Sequence, residues 1–491
     1  MAATPPPQST DPIAALARGG RLNFFGFLLR LGARLPFLIM AGQLYGAAPL
    51  GRFAYAVLVV ELTAQLATLG LKRGLAIALA KTDRPHSHVI WDALVLGWAV
   101  AALGAALLAN FPRLVFPNSF VTGLDQIFPA IALAIVGSDI SLAALAYNHR
   151  IGPQVRARSV IEPWVLTIIA TALAFTAFKR DGLIIAYAAS MIAALAASLG
   201  PCIREFGLPH GWTPHPERLF QLARANISLA GADAIEWGTR RLDLFILGIF
   251  ATPSVMGIYY VAQQVASLPQ KLKTSFDPVL GPLLSTSLVA GDRQAMAGHV
   301  RQVGFWIIAA QLCVALALGL PGEAVLNLVG SEFGGGETVL GLLLFVEVLA
   351  ATAAVSEAAL VYTNPHRNFI LSSVTIAAQA LITLALVPVL LARGQGGLGA
   401  ALGLALALTL GSVLKSRLLS RELGAPVAGP RWALLPAAAG AAAIGLLART
   451  LPDVWQIAVG IPMIILTFGA IMWKWGFRPD DRVLFRKSSP T

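Results

Sequence analysis

Residues 231–250 read GADAIEWGTRRLDLFILGIF. The second half is apolar enough to lie in hydrocarbon, yet Asp233, Glu236, Arg240, Arg241 and Asp243 crowd into the part before it. A charge at the centre of a membrane helix costs about 2.5 to 3.5 kcal/mol on insertion scales, so charges at this depth face water or one another. At about 100° per residue, Asp233, Glu236, Arg240 and Asp243 project within an arc of about 80°, while Arg241 points away from them. The stretch therefore reads as a transmembrane helix with one hydrated, charged face. A second reading is purely mechanical: Glu236 with Arg240 at i, i+4, and Asp243 with Arg241, form ion pairs that only fasten helices together.

The rest of the chain agrees with a membrane helix. Of 491 residues, 57% are hydrophobic and 12% charged, and mean hydropathy is +0.74, whereas soluble domains are about a quarter charged. Apolar segments of about 20 residues, enough to cross about 30 Å of hydrocarbon, recur throughout. They fall near residues 23–44, 53–71, 89–109, 122–147, 159–178, 183–203, 226–250, 255–270, 302–320, 338–362, 369–391, 397–414, 432–448 and 454–473. The expected fold class is an all-α integral membrane protein of about fourteen transmembrane helices. The opening MAATPPPQSTDP reads as a polar, disordered tail with no cleavage site before the first span.

With the N-terminus inside, the basic residues collect on inner segments, among them Lys72, Arg73, Arg84, Arg156, Arg158, Lys415 and Arg417, while the outer loops hold only Arg52, Arg113, Lys179, Arg180, Arg393 and Arg449. This asymmetry, roughly four to one, fits the positive-inside rule with an even number of spans and both termini cytoplasmic. It also accounts for the net charge of +12 through anionic lipid on the inner leaflet, with no need for a nucleic-acid partner. Cys202 and Cys313 lie in or beside different apolar spans and read as buried thiols; no residue cluster has metal-ligand spacing. All seven histidines fall on inner segments, which excludes histidine chemistry on the outer face.

Sliding the chain against itself so that Arg34 falls on Arg240 also places Gly42 on Gly248, Gly51 on Gly257 and Phe53 on Tyr259. Six spans separate the two copies, an even number, so both halves enter the membrane in the same direction and form a parallel repeat. The expected organisation is a cytoplasmic tail at 1–22, a six-helix lobe at 23–203, a cytoplasmic linker at 204–222 with a helix on the inner surface, a second six-helix lobe at 223–418, two extra helices at 430–475 and a cytoplasmic tail at 476–491. In parallel-repeat transporters the binding site lies between the lobes near the bilayer midplane. There Arg30 and Arg34, one turn apart on the first helix, are expected to face Arg240 of the seventh, and converging guanidiniums bind anions through several directed donors. Asp233, Glu236, Asp243, Glu61 and Asp139 are candidates for lining the cavity or taking up a coupling ion, and Glu347 and Glu357 also lie at membrane depth. Trp237 and Tyr259 are candidate walls for a sugar, or packing residues.

The opening spans, RLNFFGFLLRLGARLPFLIMAGQLYGAAPLGRFAYAVLVVELTAQLATLGLKRGLA, and the second-lobe stretch RRLDLFILGIFATPSVMGIYYVAQQVASLPQ followed by FDPVLGPLLSTSLVAGDRQAM, resemble the polysaccharide-transporter family of the multidrug/oligosaccharidyl-lipid/polysaccharide exporter superfamily. The likeness rests on the order Asp243, Gly248, Gly257, Tyr259, Pro278, Pro282, Gly291 and Asp292. It implies a flippase for undecaprenyl-diphosphate-linked oligosaccharide, working by alternating access in the bacterial cytoplasmic (inner) membrane, with Arg30, Arg34 and Arg240 as its basic cavity residues. The partners implied are the lipid-linked glycan, membrane lipids and polysaccharide polymerase machinery; no cofactor is expected beyond a coupling H+ or Na+. The competing readings are a drug/cation antiporter of the same superfamily, which would favour an acidic cavity, and a membrane polymerase or ligase. The enzyme reading lacks an acid-base pair on an outer loop: the longest, PGEAVLNLVGSEFGGGE, offers Glu323, Glu332 and Glu337 without a histidine.

Overall fold

The computed structural model describes residues 35–121, 123–148, 150, 152–274, 284, 286–288, 290–429, 431–478 and 481. Among these there is no strand, and the chain is a multi-pass membrane protein. We number its rods α1 Leu35–Tyr45, α2 Ala47–Lys81, α3 His86–Asn110, α4 Gly123–Tyr147, α5 Gly152–Ala174, α6 Lys179–Phe206, α7 Pro216–Phe250, α8 Pro253–Thr274, α9 Arg293–Gly319, α10 Ser331–Thr363, α11 Pro365–Leu391, α12 Gly396–Leu423, α13 Leu434–Ala448 and α14 Asp453–Gly476. In a bilayer every backbone polar group must be satisfied within the segment, which is why an apolar chain of this length resolves into helices.

Two elements outrun their hydropathy. The second rod continues past residue 71, through a break at Leu69 and Gly70 (φ 48° and 74°), to Lys81. The seventh starts at Pro216, so no separate surface helix lies between the halves and the coil is confined to 207–215. Pro216 occupies the first turn of α7, where its missing N–H costs nothing.

Bundles α1–α6 and α7–α12 meet along α2 and α8. There Gly51 and Gly257, equivalent positions of the repeat, touch each other's hairpins reciprocally: a Cβ on Gly51 would lie 1.9 Å from the Pro253 carbonyl oxygen, and one on Gly257 2.0 Å from that of Ala47. The exchange of equivalent contacts is what a pseudo-twofold axis along the bundle requires. At the same end each bundle reaches over the first hairpin of the other. Asn118 donates to the carbonyls of Ile249 (3.2 Å) and Ala251 (3.0 Å), while Gln43 donates to Leu328 O and Glu332 accepts from Ala47 N–H, both at 3.0 Å. We call this the clasped end.

Toward the far end α2 runs along α7, and α3 also packs on α7. Gly70 lies against Ala230 and Gly74 against Asn226. The last two rods pack on α9: Phe468 and Met472 of α14 and Ala437 and Ala441 of α13 share a core with Phe305 and Trp306. Arg431 pairs with Asp481 at 2.5 Å, and Trp306 Nε1 donates to the same carboxylate at 2.9 Å.

Candidate functional site

A cavity of about 340 Å³ lies between the bundles, lined from both of them. Glu61 on α2 sets its depth: it lies below Gly51 by between two and three turns, about 15 Å at 1.5 Å per residue. The walls are largely Leu, Phe and Val from α1, α2, α8, α10 and α12, and their polar groups are few: Glu61, Glu162, Tyr187, Arg240, Arg241, Tyr260, Gln263, Gln264, Ser267 and Glu347.

The five charges of the quoted stretch are shared among three other elements, α2, α8 and α10. Arg240 pairs with Glu347 of α10 at 3.2 Å. Arg241 pairs with Glu61 of α2, which is also in reach of the Tyr187 hydroxyl at 3.5 Å, and lies over the Trp237 ring at 5.4 Å from its centroid. Asp243 is fully buried, accepting from Tyr259 Oη at 2.5 Å and Gln263 Nε2 at 3.0 Å, so it fastens α7 to α8 and does not line the cavity. Asp233 and Glu236 lie at the far end, where Arg73 contacts them at 3.1 and 2.6 Å. None of the pairs within α7 that the mechanical reading required is formed among these contacts.

Several expectations are corrected by this geometry. A single hydrated face holding Asp233, Glu236, Arg240 and Asp243 is not what α7 presents, because the helix is packed against α2, α3, α8, α11 and α12 and offers no common side to its charges. Arg241, which the wheel turned away, lines the cavity beside Arg240. Two guanidiniums a hundred degrees apart still reach one space because each side chain is long and the cavity wraps part of the helix. Nor is the described lining a basic one, since each guanidinium meets a glutamate and Glu162 adds a third carboxylate. Tyr259 is buried at 1% exposure and cannot touch cargo.

Asp139 also lies off the cavity. It pairs with Arg158 and, at 2.8 Å, with Lys72, and Arg158 in turn holds Glu162 at 2.9 Å. This network backs the cavity wall at a wide turn of helix over Arg156–Ile161, an insertion that lets Arg158 reach two carboxylates at once. Arg30 and Arg34 lie outside the described residues. The structure thus brings together Arg240 and Glu61 and adds Arg241, Glu347, Glu162, Tyr187 and Gln263. The missed signal was depth: Glu61 and Arg241 stand at matching distances from the clasped end, and a carboxylate inside the membrane calls for a cation.

Chemically, both arginines keep part of their surface in the cavity, with side chains 36% and 40% exposed. Such guanidiniums can exchange a carboxylate for another planar or tetrahedral oxyanion with the same donors. Among the described residues no group of three His, Cys, Asp or Glu could hold a metal ion.

The sequence matches a family profile described as "Polysaccharide biosynthesis protein" over residues 44–325. No curated protein matches the chain by sequence. Three solved structures share the fold at low identity. One, described as the lipid II flippase MurJ in an inward closed conformation, is 12% identical with a TM-score of 0.68, covering 94% of this chain and 99% of its own. A multidrug resistance MATE family transporter of the MOP superfamily, in an inward-facing conformation, is 13% identical with a TM-score of 0.65, covering 85% of this chain and 96% of its own. A MOP superfamily transporter from Pyrococcus furiosus, described as having a binding pocket of reverse polarity, is 14% identical with a TM-score of 0.58, over 84% of this chain and 96% of its own. At such identities the likeness establishes the fold, here that of MOP transporters.

Proposed function

This chain belongs to the polysaccharide biosynthesis protein family, and we propose that it is a flippase carrying a lipid-linked, undecaprenyl-diphosphate oligosaccharide from the inner to the outer leaflet of the bacterial cytoplasmic membrane. The observation that carries the reading is the adjacent pair Arg240 and Arg241, part-exposed in a cavity between two parallel bundles. A diphosphate brings about two negative charges to a low-dielectric midplane, and directed donors there offset the loss of hydration. The prenyl chain stays in lipid while the glycan passes between the bundles. With the basic residues inside, the clasped end is the outer one, so the cavity is loaded from the cytoplasmic side. Transport is driven by a proton or sodium gradient, and the product is handed to polymerase machinery.

The test uses the full-length protein in proteoliposomes with a fluorescent polyprenyl-diphosphate oligosaccharide. R240A and R241A are each expected to reduce its flipping by at least about tenfold, as loss of a charged contact of about 1.5 to 3 kcal/mol implies, while inserting normally. Wild-type rates in both variants would overturn the assignment. The antiporter reading is favoured by one observation, the three carboxylates Glu61, Glu162 and Glu347 in the same lining. It predicts efflux of a cationic dye that E347Q abolishes; our reading predicts no dye transport.

A further inference from the structure

The two ion pairs in the cavity differ in what they join. Arg240 and Glu347 both belong to the second bundle, on α7 and α10. Arg241 and Glu61 belong to different bundles, on α7 and α2, so this pair is a tie across the interface at cavity depth. Trp237, one turn before Arg241 on the same helix, supports the guanidinium from behind, so the side chain stays aimed at the cavity whichever anion it holds.

We propose that the Glu61–Arg241 pair is an inter-bundle latch released by the cargo's own phosphates. The inference rests on the anion-binding reading of the cavity and adds a mechanism to it. An oxyanion that takes Arg241 must displace Glu61, and with that exchange one bond between the bundles is lost. A ligand shifts a conformational equilibrium only through its different affinity for the two states. Here the difference is built into one residue: Arg241 is available to cargo only when it has let go of the opposite bundle. Loading and loosening of the interface are then one event, and an empty cavity stays latched. Below the latch, the described contacts still joining the bundles include the Arg73 ion pairs, with Arg73 55% exposed, and the approach of Gly70 and Gly74 to α7, and α3 also packs on α7. Exchange at Arg240 breaks a pair whose two members both belong to the second bundle, which supplies an internal control.

The experiment uses purified full-length protein in lipid nanodiscs and inorganic pyrophosphate as the probe. Spin labels are placed at exposed far-end positions of the two bundles, A80C on α2 and H366C on α11, in a C202A, C313A background. E61Q is expected to bind pyrophosphate about 5- to 50-fold more tightly than wild type, the usual size of a coupling between linked equilibria. Its ligand-free distance distribution should match that of pyrophosphate-loaded wild type. E347Q should also bind more tightly, yet leave the ligand-free distances at their wild-type values. The charge-swapped double variant, E61R with R241E, should restore the wild-type ligand-free distribution, which shows that E61Q acts through the pair and not through misfolding. Unchanged or weaker binding by E61Q, unchanged distances, or an equal shift in E347Q would overturn the latch. Should pyrophosphate bind equally to wild type and to the R240A, R241A double variant, the anion-site reading itself falls; should that variant lose binding while E61Q changes nothing, only the latch does.

Discussion

The two ends of the interface are held by different kinds of contact. At the clasped end the bundles meet main chain to main chain at Gly51 and Gly257, and their hydrogen bonds go largely to backbone groups. The arrangement is reciprocal, each bundle reaching over the other's first hairpin. At the far end α2 lies along α7 with a single main-chain approach, Gly70 on Ala230, that has no reciprocal partner among the described residues, and the contact ends in ion pairs from a half-exposed arginine. Backbone contacts without side chains have no rotamers through which to yield, whereas an exposed ion pair such as Arg73 with Glu236 is screened by salt and worth about 0 to 1 kcal/mol. The difference teaches which end is easier to open: the far one, toward which the cavity would load.

The same substitution at the two ends sharpens this most. In G51A the new methyl meets the Pro253 carbonyl at 1.9 Å, and main chain cannot swing aside. In G74A it meets the end of the Asn226 side chain, which can turn away. We expect G51A, and likewise G257A, to abolish transport in proteoliposomes, and G74A to retain most of it. Equal activity in the two would break the comparison.

A middle-sized effect is expected from the reaching side chains. Replacing Asn118 and Glu332 together by Ala removes three hydrogen bonds to backbone groups, for a loss of about 1 to 3 kcal/mol. A lowered melting temperature, with cysteine labels near Gln43 and Asn118 becoming more reactive, is the expected outcome; unaltered labelling would mean that the glycine contact alone holds the clasp.

The smallest change belongs to E236Q, which removes the exposed one of the two Arg73 ion pairs and leaves the pair with buried Asp233 in place; the expected cost is under about 1 kcal/mol. The measurement is a melting curve at low and high salt. A difference from wild type that persists at high salt would show the far end to be as firmly built as the clasped one.

Much of the fold was legible in residue order. Hydropathy gave about fourteen spans; among the described residues ten helices are long and apolar enough to cross a membrane, α1 and α13 are shorter apolar helices, and the more polar α7 and α8 complete the rods numbered above, while the self-alignment that put Gly51 on Gly257 identified the pair that meets across the interface. Even the early start of α7 carries a signal, a proline in the first turn, that the polar character of the segment concealed. The site was legible only in part. Arg240 and Glu61 were chosen for being charged at membrane depth, and both line the cavity, but Asp243 has the same character and is consumed in tying α7 to α8, and Asp139 in tying α4 to α5 and α2.

The sequence by itself determined the solvent each segment requires and the repeat of the plan, because length, hydropathy and glycine spacing act locally along a helix. Only the tertiary structure decided which charge meets which. A helical wheel gives a direction about one axis, whereas the partner waiting there belongs to a helix distant in sequence, placed by the packing of all the others. Arg241 and Glu61 face each other because two bundles close on a pair of glycines a few turns away, and no periodicity in either helix contains that fact.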